Sequence, residues 1–150
     1  MSNRPPDTPA RRRPENLGVL LREPYRIAND QLHGRFADRG HPEIRTPHGN
    51  VFAYLDDAGT RVSVLAERAQ VTKQSMAELV AHLERHGYVE RVPDPSDGRA
   101  KLVRATKKGN QLYAIAREFV EETEAEWTRR LGRQKMRQLR GLLEELNEGL

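Results

Sequence analysis

Apolar residues recur along this chain at helical spacing, with one short interval in which they alternate instead. Leu17, Leu20, Leu21, Ile27, Ala28, Leu32 and Phe36 fall on one face of a helix that Gly40 would stop. Pro24 interrupts that face. It lacks a backbone N–H and clashes with the preceding turn, so the helix either kinks there or starts there. Thr46 and Pro47 announce a second helix, a hydroxyl N-cap followed by proline at the first helical position. Its buried side is Val51, Phe52 and Leu55, and residues 56–59 end it in a turn.

The interval 61–106 is the most informative. Arg61 and Val62 read as extended, Ser63 as an N-cap for a helix over 64–69, and Thr72 as the N-cap of the next helix. That helix carries Met76, Leu79, Val80 and Leu83 at the spacing of one buried stripe, and Gly87 closes it. Residues 88–92 and 101–105 then alternate as two short strands. The connector between them, Pro93, Asp94, Pro95, Ser96, Asp97 and Gly98, is dense in turn formers, which predicts a β-hairpin with a polar tip. Two helices joined by a tight turn and followed by a hairpin make a winged helix-turn-helix. Beyond it, Leu112, Ile115, Phe119 and Trp127 share a helical face, although residues 121–126 are strongly acidic. After Gly132, Met136, Leu139, Leu143, Leu146 and Leu150 form a seam of the kind by which one helix packs along another. The fold class is therefore mainly α with a small β-hairpin wing.

Composition narrows the function. Of 150 residues only 36% are hydrophobic and 32% are charged, which implies long solvent-exposed helix. A net charge of +4 favours a polyanionic partner, but 26 basic residues face 22 acidic ones, so their distribution matters more than the total. The absence of cysteine removes disulfides, thiolate metal sites and thiol redox sensing. With no bilayer-length apolar run and no secretory h-region, the chain is expected in the cytoplasm, associated with the nucleoid. No nucleophile is grouped with a base, and neither a phosphate-binding glycine loop nor a dinucleotide fingerprint is present, so no enzyme and no cofactor are expected. Few aromatics and no sheet platform argue against RNA. Residues 1–16 read as a disordered basic arm, in which Arg11, Arg12 and Arg13 either touch DNA or form a solvated tail.

On the second helix of the motif, Gln74, Ala77, Glu78 and Ala81 point away from the apolar stripe. Small and polar side chains there suit a helix entering a major groove. Gln74 has the chemistry for a bidentate bond to an adenine edge; Thr72 and Ser75 can donate to phosphate beside the positive end of the helix, and Lys73 adds charge. Glu78 would be repelled by phosphate, so it either reads a cytosine amino group or pairs with a basic neighbour. On the hairpin, Arg99 can project into a minor groove, with Lys101 and Arg104 as phosphate contacts. His82 and His86 have metal-compatible spacing but no third ligand, and read as a solvent-facing pair; no metal site is expected.

These residues resemble the MarR family of winged-helix regulators over roughly 17–148. The resemblance is carried by Val64 to Ala69, by Thr72 to Gly87 and by Tyr88 to Val92. Its most specific part is Asp97-Gly-Arg-Ala-Lys-Leu-Val-Arg-Ala-Thr106-Lys-Lys-Gly109. Ala105 stands where a larger aliphatic is usual. The resemblance implies that Asp97 holds the Arg99 guanidinium and that the first and last helices of two subunits interleave. The organisation that follows is a single domain, 17–150, with a winged helix-turn-helix at 46–106 flanked by dimerisation helices at 17–40 and 107–150. A small aromatic or phenolic effector bordered by Tyr25, His48, Phe52 and Tyr113 is implied in the same way. The expected function is a sequence-specific regulator, a repressor, that binds double-stranded DNA as a homodimer on a pseudo-palindromic operator. The alternative is a winged-helix module for protein interaction.

Overall fold

The computed structural model describes residues 16–149. The arm with Arg11, Arg12 and Arg13 lies outside the described residues, as does Leu150 at the end of the seam.

The first helix, α1 (Leu17–Asp38), is capped by Asn16, whose side chain accepts the Val19 amide at 3.0 Å. It runs through Pro24 as one helix, which rules out a start at the proline. Proline removes the donor for the Leu20 carbonyl, but Leu20 and Pro24 are both exposed, where solvent can replace it. A 3-10 turn (Thr46–His48) then leads into α2 (Gly49–Phe52). Thr46 is not its cap; Arg45 is. The Thr46 hydroxyl instead accepts from Asn29 Nδ2 at 2.9 Å and ties the turn to α1. Likewise Ser63 lies inside the first turn of α3 (Val62–Arg68), with Arg61 as N-cap. The capping expected at Thr72 is present: its hydroxyl accepts the Ser75 amide at 3.1 Å and opens α4 (Lys73–Arg85).

The wing is longer and tighter than the expected strands 88–92 and 101–105. β1 (Val89–Asp94) pairs antiparallel with β2 (Asp97–Ala105), so most of the predicted connector is strand. Pro93 is tolerated because a two-stranded ribbon has only edges. After Pro93↔Lys101 the register slips to Asp94↔Asp97, leaving Gly98, Arg99 and Ala100 as a bulge at the tip. At the base, Thr60 and Val103 exchange backbone bonds of 2.8 and 2.9 Å.

Thr106 caps α5 (Lys107–Leu131), and Gly132, at φ +85°, turns the chain into α6 (Arg133–Glu148). The core gathers Val51, Leu65, Met76, Val80, Leu83, Tyr88 and Val103, all fully buried, around the helix-turn-helix. α1 crosses α5 through the pairs Arg35–Glu122 (2.7 Å) and Arg39–Glu118 (3.1 Å). The outer faces tell a different story. Leu17, Leu20, Leu21, Tyr25 and Ile27 of α1 are exposed, and α6 buries no residue at all, with Leu142 64% exposed. Among the described residues no helix is long and apolar enough to cross a membrane.

Candidate nucleic-acid interface

Thr72, Lys73, Gln74, Ser75 and Glu78 are all exposed on the first turns of α4, while Met76, Val80 and Leu83 behind them are buried and Leu79 is half-buried. Helical periodicity alone produces this division. The Thr72 hydroxyl donates to Ser75 Oγ at 2.8 Å, and Gln74 Nε2 donates to Glu78 Oε1 at 3.4 Å. One amide hydrogen and the carbonyl of Gln74 remain unengaged by that bond. At the far end of α4, Lys108 Nζ donates to the His86 carbonyl at 2.9 Å and sits 4.2 Å above the Tyr88 ring. A cation at a helix C-terminus complements its dipole.

On the wing, Arg99 and Lys101 are exposed and, among the described residues, belong to none of the ion pairs; Lys73 shares that property. Arg104 differs. Its guanidinium pairs with Glu90, its cross-strand partner, at 2.6 Å. Asp97 acts on the main chain of Arg99 rather than on its guanidinium: Oδ1 accepts the Arg99 amide at 3.1 Å, and Oδ2 lies 3.6 Å from Arg61. The carboxylate that carries an arginine directly is Asp94. Its Oδ2 receives Arg61 Nε and Nη2 at 2.7 and 2.6 Å, and its Oδ1 receives the Ser96 amide and hydroxyl at 2.8 and 2.7 Å. The bonds from Ser96, then that from Arg61, pull the Asp94 carboxyl down to about 2. Arg61 and Asp94 read in the sequence only as an extended residue and a turn former.

The pair His82 and His86 does not face solvent. Both are half-buried, and with His48 they form a stack, each neighbouring pair of ring centroids 4.4 Å apart. His82 Nε2 donates to the Glu43 carbonyl at 3.2 Å and His86 Nδ1 to the His82 carbonyl at 2.9 Å. His48 is buried, and its Nδ1 accepts the Arg45 amide at 3.0 Å. Burial, then the neighbouring His82, lowers its pKa to about 4. Among the described residues no group of side chains is arranged to hold a metal ion.

A cavity of about 590 Å³ opens between α1, α2 and α5. Tyr25, Phe52 and Tyr113 line it; His48 does not, and stacks instead on His82 of α4. The Tyr113 hydroxyl donates to the Phe52 carbonyl at 2.8 Å, so it is already engaged. Asn29, His33 and Asn50 also line the cavity, and nothing in the local pattern singled them out.

A family model described as the MarR family matches residues 44–100. The transcriptional regulator HosA of Escherichia coli O111:H- is 33% identical over 91 residues, 60% of this chain and 67% of HosA. The homoprotocatechuate degradative operon repressor of Escherichia coli is 35% identical over 81 residues, 54% of this chain and 55% of the repressor. The structure of S. aureus MepR in complex with DNA superposes with a TM-score of 0.70, covering 90% of this chain and 98% of MepR. Their identity is 20%, so that likeness bears on the fold. The family match spans the helix-turn-helix, β1 and the tip of the wing, and the chain belongs to the MarR family of winged helix-turn-helix transcriptional regulators.

Proposed function

We propose that this protein binds double-stranded DNA as a homodimer on a pseudo-palindromic operator, acts as a repressor in the cytoplasm, and is released by a small aromatic ligand. The observation that carries the reading is the exposed first turn of α4 together with a wing tip whose Arg99 and Lys101 belong to no ion pair among the described residues. In a B-form major groove, Gln74 would bond an adenine edge with the amide atoms that Glu78 leaves unused. Thr72, Ser75 and Lys73 would hold phosphates at the N-terminus of the helix, where the backbone dipole favours negative charge. Arg99 would enter the adjacent minor groove, with Lys101 on its rim and Arg104 contributing less because Glu90 already holds it.

Two-fold association is supported by the uncovered leucines of α1 and α6, which water would otherwise face. The two copies of α4 would then stand about one DNA turn apart. Repression follows the related operon repressor, and ligand release follows the cavity, which lies between α1, α2 and α5. Tyr25 and Phe52 would stack on an aromatic ring there, and Asn29, His33 and Asn50 would bond its polar groups.

Selection of bound duplexes from a random library, followed by affinity against salt, tests the reading. A palindromic motif bound with a steep salt dependence is the expected result. No enriched motif and a flat salt response would replace DNA by a protein partner.

A further inference from the structure

The wing is a two-stranded ribbon, and such a ribbon holds little shape by itself. Its base is fixed by the backbone exchange between Thr60 and Val103. Its tip lies beyond that bridge, and the register slip there leaves Gly98, Arg99 and Ala100 without partners on β1. Something else must decide where Arg99 stands.

We propose that Arg61 is a positioning residue for the wing: held on the buried Asp94 carboxylate, it sets the place of Arg99 relative to α4. The proposal rests on the DNA-binding reading of the wing. One end of this clamp is rigid. Arg61 is the N-cap of α3, and α3 packs directly on α4. The other end is the last residue of β1: Asp94 is only 7% exposed, and both its oxygens are saturated by Arg61 and Ser96. The Ser96 bonds close the turn, so the guanidinium grips the turn itself. From there a second link runs outward. Asp97 Oδ2 lies 3.6 Å from Arg61 Nη2 while its Oδ1 accepts the Arg99 amide. The rival role for Arg61, a phosphate contact of its own, would require the guanidinium to leave a buried carboxylate uncompensated, which is strongly unfavourable.

The test is a double-mutant cycle on the best duplex selected by the wild-type protein, with Arg61→Gln, Arg99→Ala and the two combined. Arg61→Gln should weaken binding about tenfold, close to the loss from Arg99→Ala, and reduce the salt slope similarly. The combined variant should bind within about twofold of Arg99→Ala alone, because the clamp acts through Arg99. Arg61→Lys, able to keep one bond to Asp94, should recover part of the loss. Losses that multiply in the combined variant would overturn the proposal and make Arg61 a direct contact. Amide hydrogen exchange at Ser96 and Arg99 in free protein supplies a reading without DNA. It should accelerate in Arg61→Gln and stay slow in wild type; unchanged exchange overturns the clamp. If Arg99→Ala binds like wild type, the wing–DNA reading fails, and the exchange result still decides the clamp. Asp94→Asn loosens the same contact from the other side and replaces Arg61→Gln if that variant unfolds.

Discussion

The carbonyl oxygen of Tyr88 lies so close above Gly109 that a β-carbon there would overlap it. Tyr88 has no room to retreat. It is fully buried, its carbonyl accepts the Thr106 amide at 3.1 Å, and its hydroxyl donates to Glu43 at 2.9 Å and lies 3.0 Å from His41 Nδ1. The end of α4, the start of the wing and the first turn of α5 are thereby fixed against one another.

Gly109→Ala should therefore destabilise the fold by about 2 kcal/mol or more, since backbone rather than a flexible side chain must move. Thermal unfolding measures it. An unchanged midpoint would mean that α5 shifts freely over Tyr88.

Gln74→Ala should lose about 1–3 kcal/mol of discrimination at one base pair per half-site while non-specific affinity stays nearly constant. Competition between the selected duplex and single-base variants reads this directly. A variant that keeps the wild-type preference removes Gln74 from base recognition.

Arg99→Ala should lower the slope of log affinity against log salt by about 1, and Arg104→Ala by less, because Glu90 already neutralises Arg104. Salt titrations of the two variants side by side give the order. The reverse order would place the DNA along the strands rather than at the tip.

Stability should fall as the solution is acidified from about pH 6.5 to about pH 4. His48 titrates near 6.5 when unfolded, but burial lowers its folded value to about 4. Above 6.5 both states are neutral and the full contribution is present; between the two values only the unfolded chain gains the proton, so folding is progressively disfavoured. His41, lowered by burial and then by Lys108, acts in the same direction. His48→Asn keeps an acceptor for the Arg45 amide but does not titrate. Urea midpoints across this window should be flatter for that variant, and an equally steep decline would assign the acid response to other groups.

Leu142→Glu should convert a dimer into monomers, since this leucine is 64% exposed on α6 and makes no core contact to lose. Sedimentation velocity distinguishes the species, and circular dichroism should show the same helix content. A variant that still sediments as a dimer would move the interface off this face of α6.

What could be read along the chain is what neighbours within a turn or two decide. The Thr72 cap, the Met76–Val80–Leu83 stripe and the stop at Gly87 are set by short-range hydrogen bonding and by the 3.6-residue period, and all three stand in the fold. Local pattern was less secure where one side chain had competing partners. Thr46 gave its hydroxyl to Asn29, seventeen residues away, and not to the turn it precedes. The rest depended on tertiary placement. Arg61 meets Asp94 across 33 residues, His48 stacks on His82 of a different helix, and Arg104 is held by Glu90 on the opposite strand. None of these pairs has a periodic signature, because their separation in space is fixed by the summed backbone angles of every intervening turn. The leucines of α6 show the converse: their spacing announces a packing face, but a pattern states only that apolar area must be covered, and the tertiary structure of one chain covers Leu143 in part while leaving Leu139, Leu142 and Leu146 exposed.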